Sequence, residues 1–255
     1  MPENAQDKEP RPLGGMAPFE DWDFHCLDTG QARSREYDER RLMTRRKLSA
    51  IAKAAIAGFP DSSPKLESRT SLHNPHAFNG MQVRRLWAYI CRGKQEKSRL
   101  RKVLGRDLAK DLNAAYKNAY LCVGIESGAL EVSLRIHPDG WYDGQNFVKR
   151  VKKEGVYGWL EQLNALDGYF LRLADWKGEW RCGSLTPEQL EEFLRFYTPG
   201  EHALAVERRW PATKDVRAGL LGDGVPEAMA EEVRRLLPLY RFCAWSEESN
   251  HLFGG

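Results

Sequence analysis

Two runs of strict alternation constrain this chain more than any other feature. Ala119, Leu121, Val123 and Ile125 alternate with Tyr120, Cys122 and Gly124; Leu130, Val132, Leu134 and Ile136 alternate with Glu131, Ser133, Arg135 and His137. A period of two sends apolar side chains to one face of a strand and the others to the opposite face. Between the runs lies Glu126-Ser127-Gly128, where Gly128 is expected to supply the positive φ of a tight turn. The pattern predicts an antiparallel hairpin over about 119–137.

A second hairpin is predicted over about 168–182. There Tyr169 to Leu173 is followed by Lys177-Gly178 and then by Glu179 to Cys182. His202 to Trp210 reads as another strand. Strands that arrive in adjacent pairs build antiparallel sheets, so the expected class is α+β, with helices packed on a hairpin-built sheet and helical N- and C-terminal parts.

Helical periods fill most of the rest. Ser34 is placed to cap a helix that ends at Gly58, with Leu48, Ile51, Ala52 and Ala55 inward. Val83, Leu86, Trp87, Ile90 and Cys91 fall at helical spacing and predict a helix from Asn79 to Gly93. Further helices are expected over Lys94 to Leu104, Arg106 to Tyr116, Gln145 to Lys153 and Val156 to Leu166. Thr186-Pro187-Glu188-Gln189 has the form of a capping box. Helices near Lys214 to Leu221 and Pro226 to Cys243 follow, the last split by Pro238. Phe19 to Thr29 reads as an ordered arm with a short strand, and residues 60–80 as a loop. The expected organisation is a disordered tail over 1–18, a single α+β domain over 19–245 and a flexible tail over 246–255.

Composition bounds the function classes. A charged fraction of 29% beside a hydrophobic fraction of 42% fits a soluble globular protein. Five scattered cysteines, an odd number, with no CxxC spacing point to a reducing, cytoplasmic compartment. No apolar run reaches the roughly 18 residues of a membrane span. The polar start lacks a signal core, and Met16 is an alternative to Met1 as the first residue. No GxxxxGK[ST], GxGxxG or GxSxG pattern occurs, so no cofactor is expected. The terminal Gly254-Gly255 does not follow a β-grasp unit and reads as a frayed end.

Charge is uneven. Residues 82–117 carry eleven Lys or Arg and three acids, a local +8 in a chain of net +3. Residues 1–128 sum to +7 and the remainder to −4. Phosphate neutralisation needs several cations on one surface of an anchored element. The residues expected to do this are Arg84, Arg85, Lys94, Lys97, Arg101, Lys102 and Arg106, with Arg40 to Lys47 adding to them. The plain alternative is a solvated helix face. The leading expectation is a non-catalytic protein that binds a DNA or RNA backbone through the 84–117 face, as an accessory subunit of a larger bacterial complex. A protein partner would meet its acidic C-terminal half.

Two other classes remain open. His73 and His76, in an HNPH loop, together with His137 and Asp143 would suit a metal-dependent or histidine-based hydrolase or nuclease if they converged; otherwise they are turn residues. Asp139 and Asn146 lie beside them in sequence. The third class is a purely structural interaction subunit.

Overall fold

The alternating hairpin forms the middle of a seven-stranded sheet in which all pairings are antiparallel. The structure is a computed structural model that describes residues 15–110, 112–174 and 178–252. In chain order, α1 (Asp21–His25) and α2 (Asp38–Ala57) precede β1 (Leu66–Thr70) and β2 (Arg85–Arg92). Then come α3 (Lys94–Leu108), β3 (Tyr120–Glu126), β4 (Ala129–Ile136), α4 (Trp141–Glu154) and α5 (Tyr157–Asn164). The last third runs β5 (Phe170–Leu173), β6 (Trp180–Arg181), α6 (Pro187–Phe196), β7 (Leu204–Pro211), α7 (Lys214–Leu220), α8 (Val225–Arg235) and α9 (Leu237–Cys243). The strands lie in the order β1-β2-β3-β4-β7-β5-β6. The class is α+β, as the paired strands predict.

One sheet face is apolar. Leu86, Ala88 and Ile90 of β2, Leu121, Val123 and Ile125 of β3, and Leu130, Val132, Leu134 and Ile136 of β4 are buried in one core. Leu48, Ile51, Ala52 and Ala55 of α2, with Met229, Ala230 and Val233 of α8, close over them. An aromatic group extends the core beyond α4: Phe147 meets Trp159 edge-on at 4.8 Å, and Phe193 stacks on Tyr197 at 5.9 Å.

Several expectations are corrected. Residues 85–92 form a strand, not the end of a helix begun at Asn79. The run satisfies both periods, since Leu86 and Ile90 are inward in either, and the open backbone ladders of β1 and β3 select the strand. The loop expected over 60–80 contains β1. Arg106 to Tyr116 is not one helix: α3 kinks at Gly105 (φ 80°) and ends at Leu108, and a 3-10 turn at Ala115–Lys117 follows. The arm after Phe19 is helical at α1 rather than extended. Gly128 does not take a positive φ; the turn it closes, with Glu126 opposite Ala129, forms without one.

The segment up to Leu252 packs on α4 and a second cluster. Leu252 is buried in a second cluster with Leu100, Leu104, Leu112, Tyr142 and Trp245. Lys149 Nζ donates to the Leu252 carbonyl at 2.7 Å, and the His251 amide donates to Asn146 Oδ1 at 2.8 Å. These bonds tie the Leu252 and His251 backbone to α4, and residues 253–255 of the expected tail lie outside the described residues. Of the expected N-terminal tail, residues 1–14 lie outside the described residues; the Met16 amide donates to Glu227 at 2.8 Å.

Candidate nucleic-acid interface

The second face of the sheet builds the site. Alternation places Arg85, Trp87 and Tyr89 of β2, Tyr120 and Cys122 of β3, Glu131, Ser133 and Arg135 of β4, and Glu207 and Arg209 of β7 together on it. Register aligns them across strands: Arg69, Tyr89, Cys122, Ser133, Glu207 and Phe170 form one row, and Trp87, Gly124, Glu131 and Arg209 the next.

At the centre of this face a carboxylate is held by three arginines. Glu131 Oε1 accepts from Arg85 Nη2 at 2.9 Å and Arg135 Nη2 at 2.7 Å; Oε2 accepts from Arg209 Nη1 at 3.0 Å. Ser133 Oγ donates to it as well, at 2.7 Å. Arg135 continues to Glu207 at 2.6 Å, and Glu207 continues to Arg172 at 3.0 Å. Arg85 spans β3 to reach β4, and Gly124 makes that possible. A Cβ there would stand 3.3 Å from the Arg85 guanidinium. Burial pushes the Glu131 carboxyl up, but the Arg135 and Arg85 charges outweigh burial and hold it below its ordinary value. Burial raises the Cys122 thiol to about 11 and the Tyr120 phenol to about 12, so neither is an activated nucleophile.

Above the network is a groove of about 1250 Å³. Its floor is Arg69, Arg85, Trp87, Tyr89, Tyr120 and Arg135. One wall is the Leu72–Gln82 loop and the other the Asn113–Tyr116 connector that leads out of α3. Arg69 Nη1 ties floor to connector through the Asn113 carbonyl at 3.3 Å. Among the described residues, no Asp or Glu lines the groove.

The seven predicted cations separate into two groups. Arg84, Lys94, Arg101, Lys102 and Arg106 are exposed, and no ion pair engages them among the described residues. Lys97, by contrast, is buried and paired with Glu67 at 2.5 Å, and Arg85 belongs to the Glu131 network. Arg92, outside the seven but within the same basic run, is buried against Asp143. The run of Arg40 to Lys47 is also partly internal: Arg41 is fully buried and donates to the carbonyls of Cys26, Gln31 and Ser34, and Lys47 pairs with Asp23 at 2.7 Å. The local +8 thus overstates the charge free for a partner. Leu100 and Leu104 anchor α3 in the second core cluster, while Lys94, Arg101, Lys102 and Arg106 are exposed.

The histidine set does not assemble. Asp143 is fully buried: both oxygens accept from Arg92, the Ala119 amide donates at 2.7 Å and the Trp245 amide at 2.8 Å. That carboxylate locks α4, β2, β3 and the C-terminal segment together and has no free lone pair for chemistry. His137 caps its own turn, its Nδ1 accepting from the Asp139 amide at 3.1 Å, and packs on Tyr116. His76 caps the Ala77–Asn79 turn through the Phe78 amide. His73 is half-buried; burial, followed by the nearby Arg45 charge, lowers its pKa. No hydrogen bond or ion pair joins these four among the described residues. Likewise, no group of three or more His, Cys, Asp or Glu is placed there to hold a metal ion. All five cysteines are free and buried. No helix among the described residues is long and apolar enough to cross a membrane.

Sequence reasoning missed the groove. Its signal was present in the residues between the apolar ones: Tyr120 and Cys122 in β3, and Glu131 and Arg135 in β4. Trp87 read as part of a buried helical stripe, and only its strand register turns it to the open face. No protein-family model matches the chain, and no curated protein matches it either.

Proposed function

We propose that the protein is a non-catalytic nucleic-acid-binding protein, acting as an accessory subunit of a larger complex. The observation that carries this is the free cationic set: Arg84 at the groove and Lys94, Arg101, Lys102 and Arg106 on α3, exposed and without acidic partners among the described residues. Cations held on an anchored helix neutralise phosphates without the entropy cost of ordering a floppy tail. The α3 helix leads directly into the Asn113–Tyr116 wall, so the charged face and the groove share one segment of chain.

Binding should be strongly salt-dependent. Fluorescence anisotropy of labelled oligonucleotides, titrated across ionic strength, measures the slope of log K against log salt. Replacing Lys94, Arg101, Lys102 and Arg106 together by glutamine should flatten that slope by about 3, since each phosphate contact on a single strand contributes roughly 0.7. Absence of binding to DNA and RNA at low salt, or an unchanged slope in the fourfold variant, would overturn the proposal.

A further inference from the structure

We infer that the open-face groove takes unstacked bases of a single-stranded nucleic acid, and that this site is separate in mechanism from the cations on α3. The inference rests on the nucleic-acid reading above and specifies its substrate class.

Three observations lead there. The first is the chemistry of the floor. Trp87, Tyr89 and Tyr120 alternate with Arg69, Arg85 and Arg135, which interleaves aromatic rings with planar guanidinium groups. Both kinds of surface stack on nucleobases, and neither can reach the faces of bases already stacked in a duplex. Strand register places Arg69 opposite Tyr89 and Arg135 opposite Tyr120, and the Tyr89 and Tyr120 rings meet edge-on at 6.2 Å.

The second is electrostatic. Arg85 and Arg135 are held from below by Glu131, and Arg135 also by Glu207. Their charge is largely compensated and their orientation fixed. Such groups are poor counter-ions for phosphate but suit stacking and hydrogen bonding to a base edge. Phosphate neutralisation therefore falls to the uncompensated cations of α3 and Arg84.

The third is the rim. Phe78 is 90% exposed, yet the turn displaying it is closely fixed. His76 and Asn79 form reciprocal caps on that turn, and Gly80 and Met81 both adopt left-handed backbone (φ 61° and 59°). A left-handed methionine is uncommon and is retained where the surroundings over-determine it. With Leu72 and Tyr116, both about half exposed, this fixed turn gives the groove an aromatic and apolar lip. The volume of about 1250 Å³ exceeds that of a usual small-molecule pocket and suits a run of nucleotides.

The test compares three labelled probes of about twelve nucleotides on the full-length protein: oligothymidylate (with oligouridylate beside it), an abasic strand of equal charge, and a duplex. The expected result is that the base-bearing strands bind at least about tenfold more tightly than the abasic strand and the duplex. Trp87→Ala should weaken their binding by roughly 5- to 150-fold, the range for one lost stacking contact, with the salt slope unchanged. Phe78→Ala, at a surface position that does not support the fold, should weaken it in the same sense. Equal affinity for base-bearing and abasic strands, or preference for duplex, would overturn the groove assignment while leaving the backbone reading intact. No binding of any probe would remove both.

Discussion

Replacing Asp143 by asparagine removes one charge from the most enclosed polar site in the fold. Arg92 is 3% exposed and Asp143 0%, and their contact is bidentate. The Arg92 charge is favoured despite its burial because the Asp143 carboxylate lies against it. Asparagine fits the same space, but its amide nitrogen must face a donor, either Arg92 or one of the amides of Ala119 and Trp245. The guanidinium is left without a counter-charge in a site that water does not reach. Breaking a buried pair in this way costs about 3–5 kcal/mol. For a chain of this size that corresponds to a fall in Tm of roughly 6–20 °C. Urea titration and thermal melts followed by circular dichroism measure both quantities. A double-mutant cycle with Arg92→Met isolates the pair and should return a coupling of about 2 kcal/mol or more. If Asp143→Asn costs less than about 1 kcal/mol, or the cycle is additive, Asp143 does not lock these elements together. A catalytic aspartate would give that opposite pattern, with stability retained and activity lost.

Two further substitutions examine neighbouring parts of the same reasoning. Glu131→Gln leaves Arg85, Arg135 and Arg209 over a neutral amide and should cost about 3 kcal/mol at neutral pH. Because the folded carboxyl titrates below its ordinary value, its contribution is complete above the ordinary carboxylate range and is lost as pH falls through the lower, folded value. The stability gap between the natural protein and the glutamine variant should therefore begin to narrow below about pH 4; a gap that stays constant down to strongly acid pH would refute the assignment. Gly144→Ala should destabilise by about 1–3 kcal/mol through overpacking. Its Cβ would stand 2.5 Å from the Tyr197 hydroxyl and 2.9 Å from Pro199 Cβ, and a melt showing no loss would mean that this contact yields freely.

The sequence alone determined the α+β class, the central hairpin, the strand at β7 and the capped start of α6. Each is local: a period of two, a turn between paired runs, or a Thr186 side chain that accepts from the Gln189 amide while Gln189 reaches back to the Thr186 amide. The basic character of 84–117 was legible in the same way, because charge is a property of composition. The state of those charges was not. Lys97 and Arg85 lie in the same run as Lys94 and Arg101, yet the first two are consumed by Glu67 and Glu131, which are 30 and 46 residues away in sequence.

Tertiary structure also decided β2, where Leu86, Trp87 and Ile90 fit either period until β1 and β3 supply backbone partners. The same pairing brought β1 out of an apparent loop, since an edge strand of sequence Leu-Glu-Ser-Arg-Thr carries no apolar alternation of its own. The groove exists only through register. Arg69, Tyr89, Tyr120 and Arg135 come from four strands and become neighbours when the sheet is assembled. Local pattern fixed which face of each strand is apolar; what the other face can bind depends on long-range pairing, which no single stretch of sequence contains.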